Sequence, residues 1–152
     1  MKQSNLTQGS NKMSVIRIAP VCGGKIYVTK HPLAGGESPH MDLPIVESVT
    51  HVSVKSDRTA CKVKEKFHQH LHMDAAPRLC VKHRSGMNKE ETIFLYVLPL
   101  KSEDEIHFHE GKFVTSEDIS NHPEAYAPDL QTEYELLGMA AELWEDFYHT
   151  EI

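Results

Sequence analysis

Cys61, Glu65, His68 and His72 recur at spacings of four, three and four, which on a helix gathers them within about 60 degrees of one another. Thiolate, carboxylate and imidazole all suit zinc, so His68 and His72 are candidate metal ligands. A single straight helix rarely supplies more than two or three ligands to one tetrahedral ion, because its side chains diverge along the axis. The simpler reading is a solvated flank, with Cys61 at the core boundary. Lys66, Gln69 and His70 share a face of the same helix, where a lysine ammonium repels a cation. His107 and His109 alternate with Ile106 and Phe108, which puts both imidazoles on one wet strand face beside nearby acids. Cys22 and Cys80 have no Gly-rich elbow or helix N-terminus to lower a thiol pKa and read as buried structural thiols.

The elements that must position these residues follow from periodicity and breakers. Met13 to Cys22 and Lys25 to Lys30 are rich in Val and Ile, and Gly23-Gly24 between them supplies the positive φ of a tight hairpin. His31 to Pro44 contains three prolines and Gly35-Gly36, and so reads as a long loop. Ile45 to Val54 alternates weakly and is expected to be extended. A helix follows Asp57 and runs from about Arg58 to His72, with Ala60, Val63, Phe67 and Leu71 facing the core. Arg78 to Arg84 and Thr92 to Leu98 are strands, and the second is apolar almost throughout, as a strand covered on both faces would be. Ile106 and Phe108 mark a further strand, after which Glu110-Gly111-Lys112 turns the chain towards Phe113 and Val114. Thr115 and Asp118 have the form of a capping box opening a short helix. Leu130, Tyr134, Leu137, Ala141, Trp144 and Tyr148 form the stripe of the longest amphipathic helix, Asp129 to His149. Its acids Glu135, Glu142 and Glu145, with Glu151 beyond it, could frame a homodimer contact. The order predicts one α/β domain over residues 13–152, with a mixed sheet and helices on both faces, after a polar, disordered leader at residues 1–12.

Composition excludes several functional classes. A formal charge of −6 argues against a nucleic-acid partner, whose footprint is normally basic. No apolar run approaches the roughly 18 residues of a membrane span, and the first residues carry no signal-peptide core. Three cysteines without CxxC spacing favour a reducing compartment, and the expected location is cytoplasmic.

Several local signatures resemble the Nudix hydrolases. They are the hairpin ending in Ile26-Tyr27-Val28, the Asp42-Leu43-Pro44 step before the first helix, and Phe113-Val114-Thr115-Ser116-Glu117-Asp118-Ile119 before a final helix. The resemblance implies an α/β/α sandwich, cleavage of nucleoside diphosphates linked to another moiety, and Mg²⁺ as cofactor. The diagnostic motif of that family is a glycine, five residues, a glutamate, seven residues, then Arg-Glu, an aliphatic, any residue, Glu-Glu, any residue, Gly and an aliphatic. The chain departs from it. Leu43-Pro44 is followed by Ile45-Val46 rather than Gly-Gly. With Phe67 at the aliphatic position, Glu65 and Lys66 stand at Arg-Glu, Gln69 and His70 at the glutamate pair, and His72 and Met73 at the end. Mg²⁺ needs hard oxygen ligands, which Lys66 and His70 cannot supply. The expectation is therefore a domain that binds a nucleotide or nucleoside-diphosphate derivative without catalysis. Lys66, Gln69 and His70 would be its ligand contacts, with His40 and Asp42 added by analogy with the family's pocket loop. Two alternatives stand beside it. One is a Mg²⁺-dependent pyrophosphohydrolase with displaced ligands, in which Glu65 is the available helix carboxylate and loop acids such as Glu90, Glu91, Glu103, Asp104, Glu105 and Glu110 assist. The other is a protein-interaction domain with no small ligand.

Overall fold

The computed structural model describes residues 13–33, 40–50, 57–68, 76–85, 91–106 and 111–149. The expected leader at 1–12 lies outside them. So do Gln69, His70, Leu71, His72, Met73, Glu90, His107, Phe108, His109, Glu110 and Glu151, and the side chains of Glu145 and Tyr148.

β1 (Met13–Cys22) is the hub of a six-stranded mixed sheet. It lies parallel to β5 (Thr92–Pro99) along one edge, from Ser14 opposite Thr92 to Val21 opposite Pro99. Along its other edge it pairs antiparallel first with β3 (Ile45–Thr50) and then with β2 (Lys25–Thr29). The β3 ladder stops at Ile18 and the β2 ladder is in register by Val21. Pro20, which has no N–H to donate, falls in the gap between them, where none is needed. Gly23 and Gly24 make the hairpin turn with φ of 60° and 73°, which other residues adopt only with strain. β4 (Arg78–Arg84) borders β5, and β6 (Gly111–Val114) borders β2.

Alternation along β1 divides the core. Val15, Ala19 and Val21 pack beneath the long helix α3 (Pro128–His149), with Leu130, Leu137 and Ala141. Ile16, Ile18 and Cys22 pack on the opposite face with Ala60 and Val63 of α1 (Asp57–Lys66). β5 serves both faces, with Ile93, Leu95 and Val97 towards α3 and Tyr96 and Leu98 towards α1. This is the expected α/β/α arrangement with a mixed sheet and a long C-terminal helix.

α2 (Ser116–Asn121) opens on the predicted capping box: Thr115 Oγ1 accepts the Asp118 N–H and Asp118 accepts the Thr115 N–H, both at 3.0 Å. Two boundaries differ from expectation. Gly111 and Lys112 do not turn the chain, because they already pair with Thr29 and Val28 inside β6. The first helix stops at Lys66, not His72. Phe67 N–H reaches back only to the Lys64 carbonyl, at 3.0 Å, and His68 Nδ1 sits 2.9 Å from the Glu65 carbonyl. A tight last turn and a side chain on a terminal carbonyl are ordinary ways to finish a helix.

Candidate functional site

α1 and β3 enclose an open groove of about 360 Å³. It is lined by the apolar Val49 and Val63, by the side chains of Glu47, Thr59, Lys62 and Lys66, and by the β3 residue Ser48, which is opposite Val15 in the ladder. Glu47 is opposite Ile16 in the β3 ladder, so its side chain rises on the α1 face, where Lys66 ends the helix. Lys66 Nζ donates to both Glu47 oxygens, at 2.7 and 3.1 Å. The Lys66 side chain is 59% exposed and that of Glu47 14%. An exposed pair of this kind is worth about 0–1 kcal/mol, so an incoming anion can compete with Glu47 for Lys66.

Among the described residues, two of the expected contacts, Lys66 and Asp42, do not converge. Lys66 lines the groove, whereas Asp42 lies on the other face of the sheet, beneath α3. Arg17 Nη2 and Nη1 donate to Asp42 at 2.6 and 3.1 Å, and Asp42 Oδ1 also accepts the Leu43 N–H at 2.7 Å. These bonds occupy the Asp42 carboxylate. His40 is half-buried in the approach to that strand connection, Glu65 is exposed on α1, and His68 is exposed past the helix end. The helix ends at Lys66, so Cys61 and Glu65 lie on it and His68 past its end, and His72 lies outside the described residues. Among the described residues, no three His, Cys, Asp or Glu side chains gather into a metal-binding group. Glu103 and Asp104 are exposed in a short 3-10 turn, and Glu105 accepts the Lys101 N–H at 3.0 Å. Cys22 is buried, and burial, then the charge of Glu133, pushes the half-buried Cys80 thiol up, away from nucleophilic behaviour.

The buried polar centre of the molecule is a different set, which sequence reasoning missed. Arg17, 2% exposed, donates from Nε and Nη2 to Glu133 of α3 at 2.8–3.0 Å while also clamping Asp42. His83 of β4 approaches the far side of Glu133, with Nε2 2.8 Å from Oε2. Beside it, Ser85 Oγ donates to Asp129 at 3.2 Å. The two facing carboxylates hold the Arg17 guanidinium above its already high range, although burial works in the opposite direction. Two signals were available. Arg17 is the one charged residue in a largely apolar strand, and Glu133 lies three residues after Leu130 and four before Leu137, on the stripe that faces the core.

No protein-family model matches the sequence, and no curated protein matches it. Solved structures do. The solution structure of the E. coli ORF135 protein is similar over 88% of this chain and 94% of that one, with a TM-score of 0.57 and 18% identity. A Nudix-family hydrolase from Clostridium perfringens matches over 90% of this chain and 99% of that one, with a TM-score of 0.53 and 14% identity. The chain has a Nudix-like fold. The C-terminal domain of mouse MUTYH, solved in complex with human PCNA, is similar over 87% of this chain and 91% of that one, at a TM-score of 0.60 and 9% identity. Identities this low carry the architecture and leave chemistry to the residues present. The Mg²⁺ expected of Nudix-like hydrolases does not fit these residues: the groove carboxylate is held by a lysine ammonium, and no acidic group gathers around it among the described residues. No helix among the described residues is long and apolar enough to cross a membrane.

Proposed function

We propose that this Nudix-like domain binds a nucleotide or nucleoside-diphosphate derivative in the groove between α1 and β3, without metal and without hydrolysis. The observation that carries this reading is the Lys66–Glu47 pair at 2.7 Å, which puts a solvent-accessible cation in the lining of the groove. An ammonium has three N–H donors, so Lys66 can hold Glu47 and still meet a phosphate oxygen. Lys62 adds a second positive charge, Thr59 adds a hydroxyl, and Val49 and Val63 offer an apolar surface. Glu65 takes no part. The test is incubation with ADP-ribose and Mg²⁺, followed by separation of the nucleotides, beside calorimetric titration of wild type and Lys66→Glu with ADP in EDTA. Binding without product, lost in Lys66→Glu, is the expected result. Mg²⁺-dependent product formation would instead establish the hydrolase with displaced ligands.

A second reading, an interaction domain, is favoured by one observation. Leu136, Met139 and Leu143 follow one another along the outer face of α3 at 42%, 67% and 67% exposure, with Glu135 and Glu142 also exposed beside them. One structural neighbour, the MUTYH domain, was solved bound to another protein. Absence of any response to nucleotides, with self-association or partner binding lost in Met139→Lys, would favour this reading.

A further inference from the structure

The His83 ring stands between two acceptors. Its Nε2 is 2.8 Å from the Glu133 carboxylate and its Nδ1 is 3.0 Å from the Arg84 carbonyl. A neutral imidazole carries one N–H and could satisfy only one of them, whereas the imidazolium donates to both. The charges behind Glu133 give the same answer. Arg17 contributes one positive charge, and Asp42 and Glu133 contribute two negative ones, with the side chains of Arg17 and Glu133 at 2% and 0% exposure. A protonated His83 completes a neutral set of four. A neutral His83 leaves one buried negative charge uncompensated.

We propose that His83 is a proton-operated latch that fastens the C-terminal helix to the edge strand β4 when charged and loosens it when neutral. The ring is 21% exposed, so its proton exchanges with solvent while its partner stays buried. The groups acting on it are Glu133 and Asp129 from α3 and the Arg84 carbonyl at the end of its own strand; behind these, Ser85 donates to Asp129, Cys80 lies within the influence of Glu133, and Arg17 binds Glu133. Ile93, its cross-strand partner in β5, is apolar. The Glu133 hydrogen bond holds the imidazolium above the ordinary histidine range of 6.5 and outweighs the opposing effect of burial; the Arg84 carbonyl and the charges of Glu133 and Asp129 add to it. A raised folded value fixes the sign. The latch is fully closed below the unfolded value and opens as pH rises through the folded one.

The test combines a proton NMR titration of the His83 ring with urea unfolding of wild type, His83→Gln and His83→Lys at about pH 6 and about pH 8.5, a window set by the ordinary histidine value. A His83 midpoint above 6.5 is expected, together with a wild-type unfolding midpoint that falls across the window. His83→Gln should unfold at lower urea without that fall. His83→Lys, which keeps the charge, should recover stability and remain insensitive to pH. The proposal is overturned by a His83 midpoint at or below 6.5, or by the same pH dependence in His83→Gln as in wild type. It is also overturned if His83→Lys behaves like His83→Gln, because charge would then not be what fastens the helix. Glu133→Gln should lower the His83 midpoint, and the two His83 variants decide the matter if that protein does not fold.

Discussion

Arg17 and Glu133 lie 116 residues apart in sequence and meet through three hydrogen bonds of 2.8–3.0 Å between the first strand and the last helix. The contact joins the two ends of the fold across the α3 face of the sheet. Buried ion pairs add little net stability relative to well-packed apolar side chains, but losing one member is severe. Arg17→Met should therefore destabilise the protein by about 3–5 kcal/mol in urea unfolding, because Asp42 and Glu133 are left charged and buried. Adding Asp42→Asn and Glu133→Gln should recover part of that loss. A single variant within about 0.5 kcal/mol of wild type would mean that the buried set carries no such penalty.

The β2–β6 pairing depends on a missing side chain. A Cβ at Gly111 would overlap the phenol end of Tyr27, which is 4% exposed and whose ring packs edge-on to Phe113 at 5.1 Å. Gly111→Ala should cost about 1–3 kcal/mol by overpacking, and Tyr27→Ala combined with it should show coupling rather than additivity. Simple additivity in the double-mutant cycle would show that the two positions do not press on each other.

Thr115→Ala removes the acceptor for the Asp118 N–H and should destabilise the protein by about 0.5–2 kcal/mol. Asp118 is held below the usual carboxylate range by the Thr115 N–H, then by the Thr115 side chain. Its contribution is present above the unfolded value and disappears as pH falls through the lowered one. The effect of Asp118→Asn should therefore shrink in strong acid, measured by thermal unfolding. An effect independent of pH would remove the carboxylate charge from the cap.

What the sequence displayed were patterns closed within a few residues. The Gly23-Gly24 turn, the apolar run of β5, the Thr115–Asp118 box and the α3 stripe each signal themselves locally, and each stands where expected. The end of α1 was not legible, because His68 and the residues after it continue a helical spacing while the backbone tightens after Lys66. The β6 boundary was obscured because Gly111 reads as a turn residue, although it serves as space for Tyr27. The site was the least legible part. Lys66 could be placed on a helix face, but Glu47, its partner, lies 19 residues earlier on a strand, and no local rule joins them. Asp42 belonged by analogy to a ligand loop; its partner Arg17, 25 residues away, draws it into the interior. Long-range charge pairing is settled by which faces meet, and single-sequence periodicity does not encode that.

The most direct test of the central claim is the thermal unfolding midpoint of the purified protein with ADP in EDTA, compared with the same titration in Mg²⁺ and with Lys66→Glu. A ligand that binds the native state raises the midpoint with concentration. The account predicts stabilisation in EDTA, little changed by Mg²⁺ and absent in Lys66→Glu. Stabilisation that appears only with Mg²⁺, or that persists in Lys66→Glu, would contradict it.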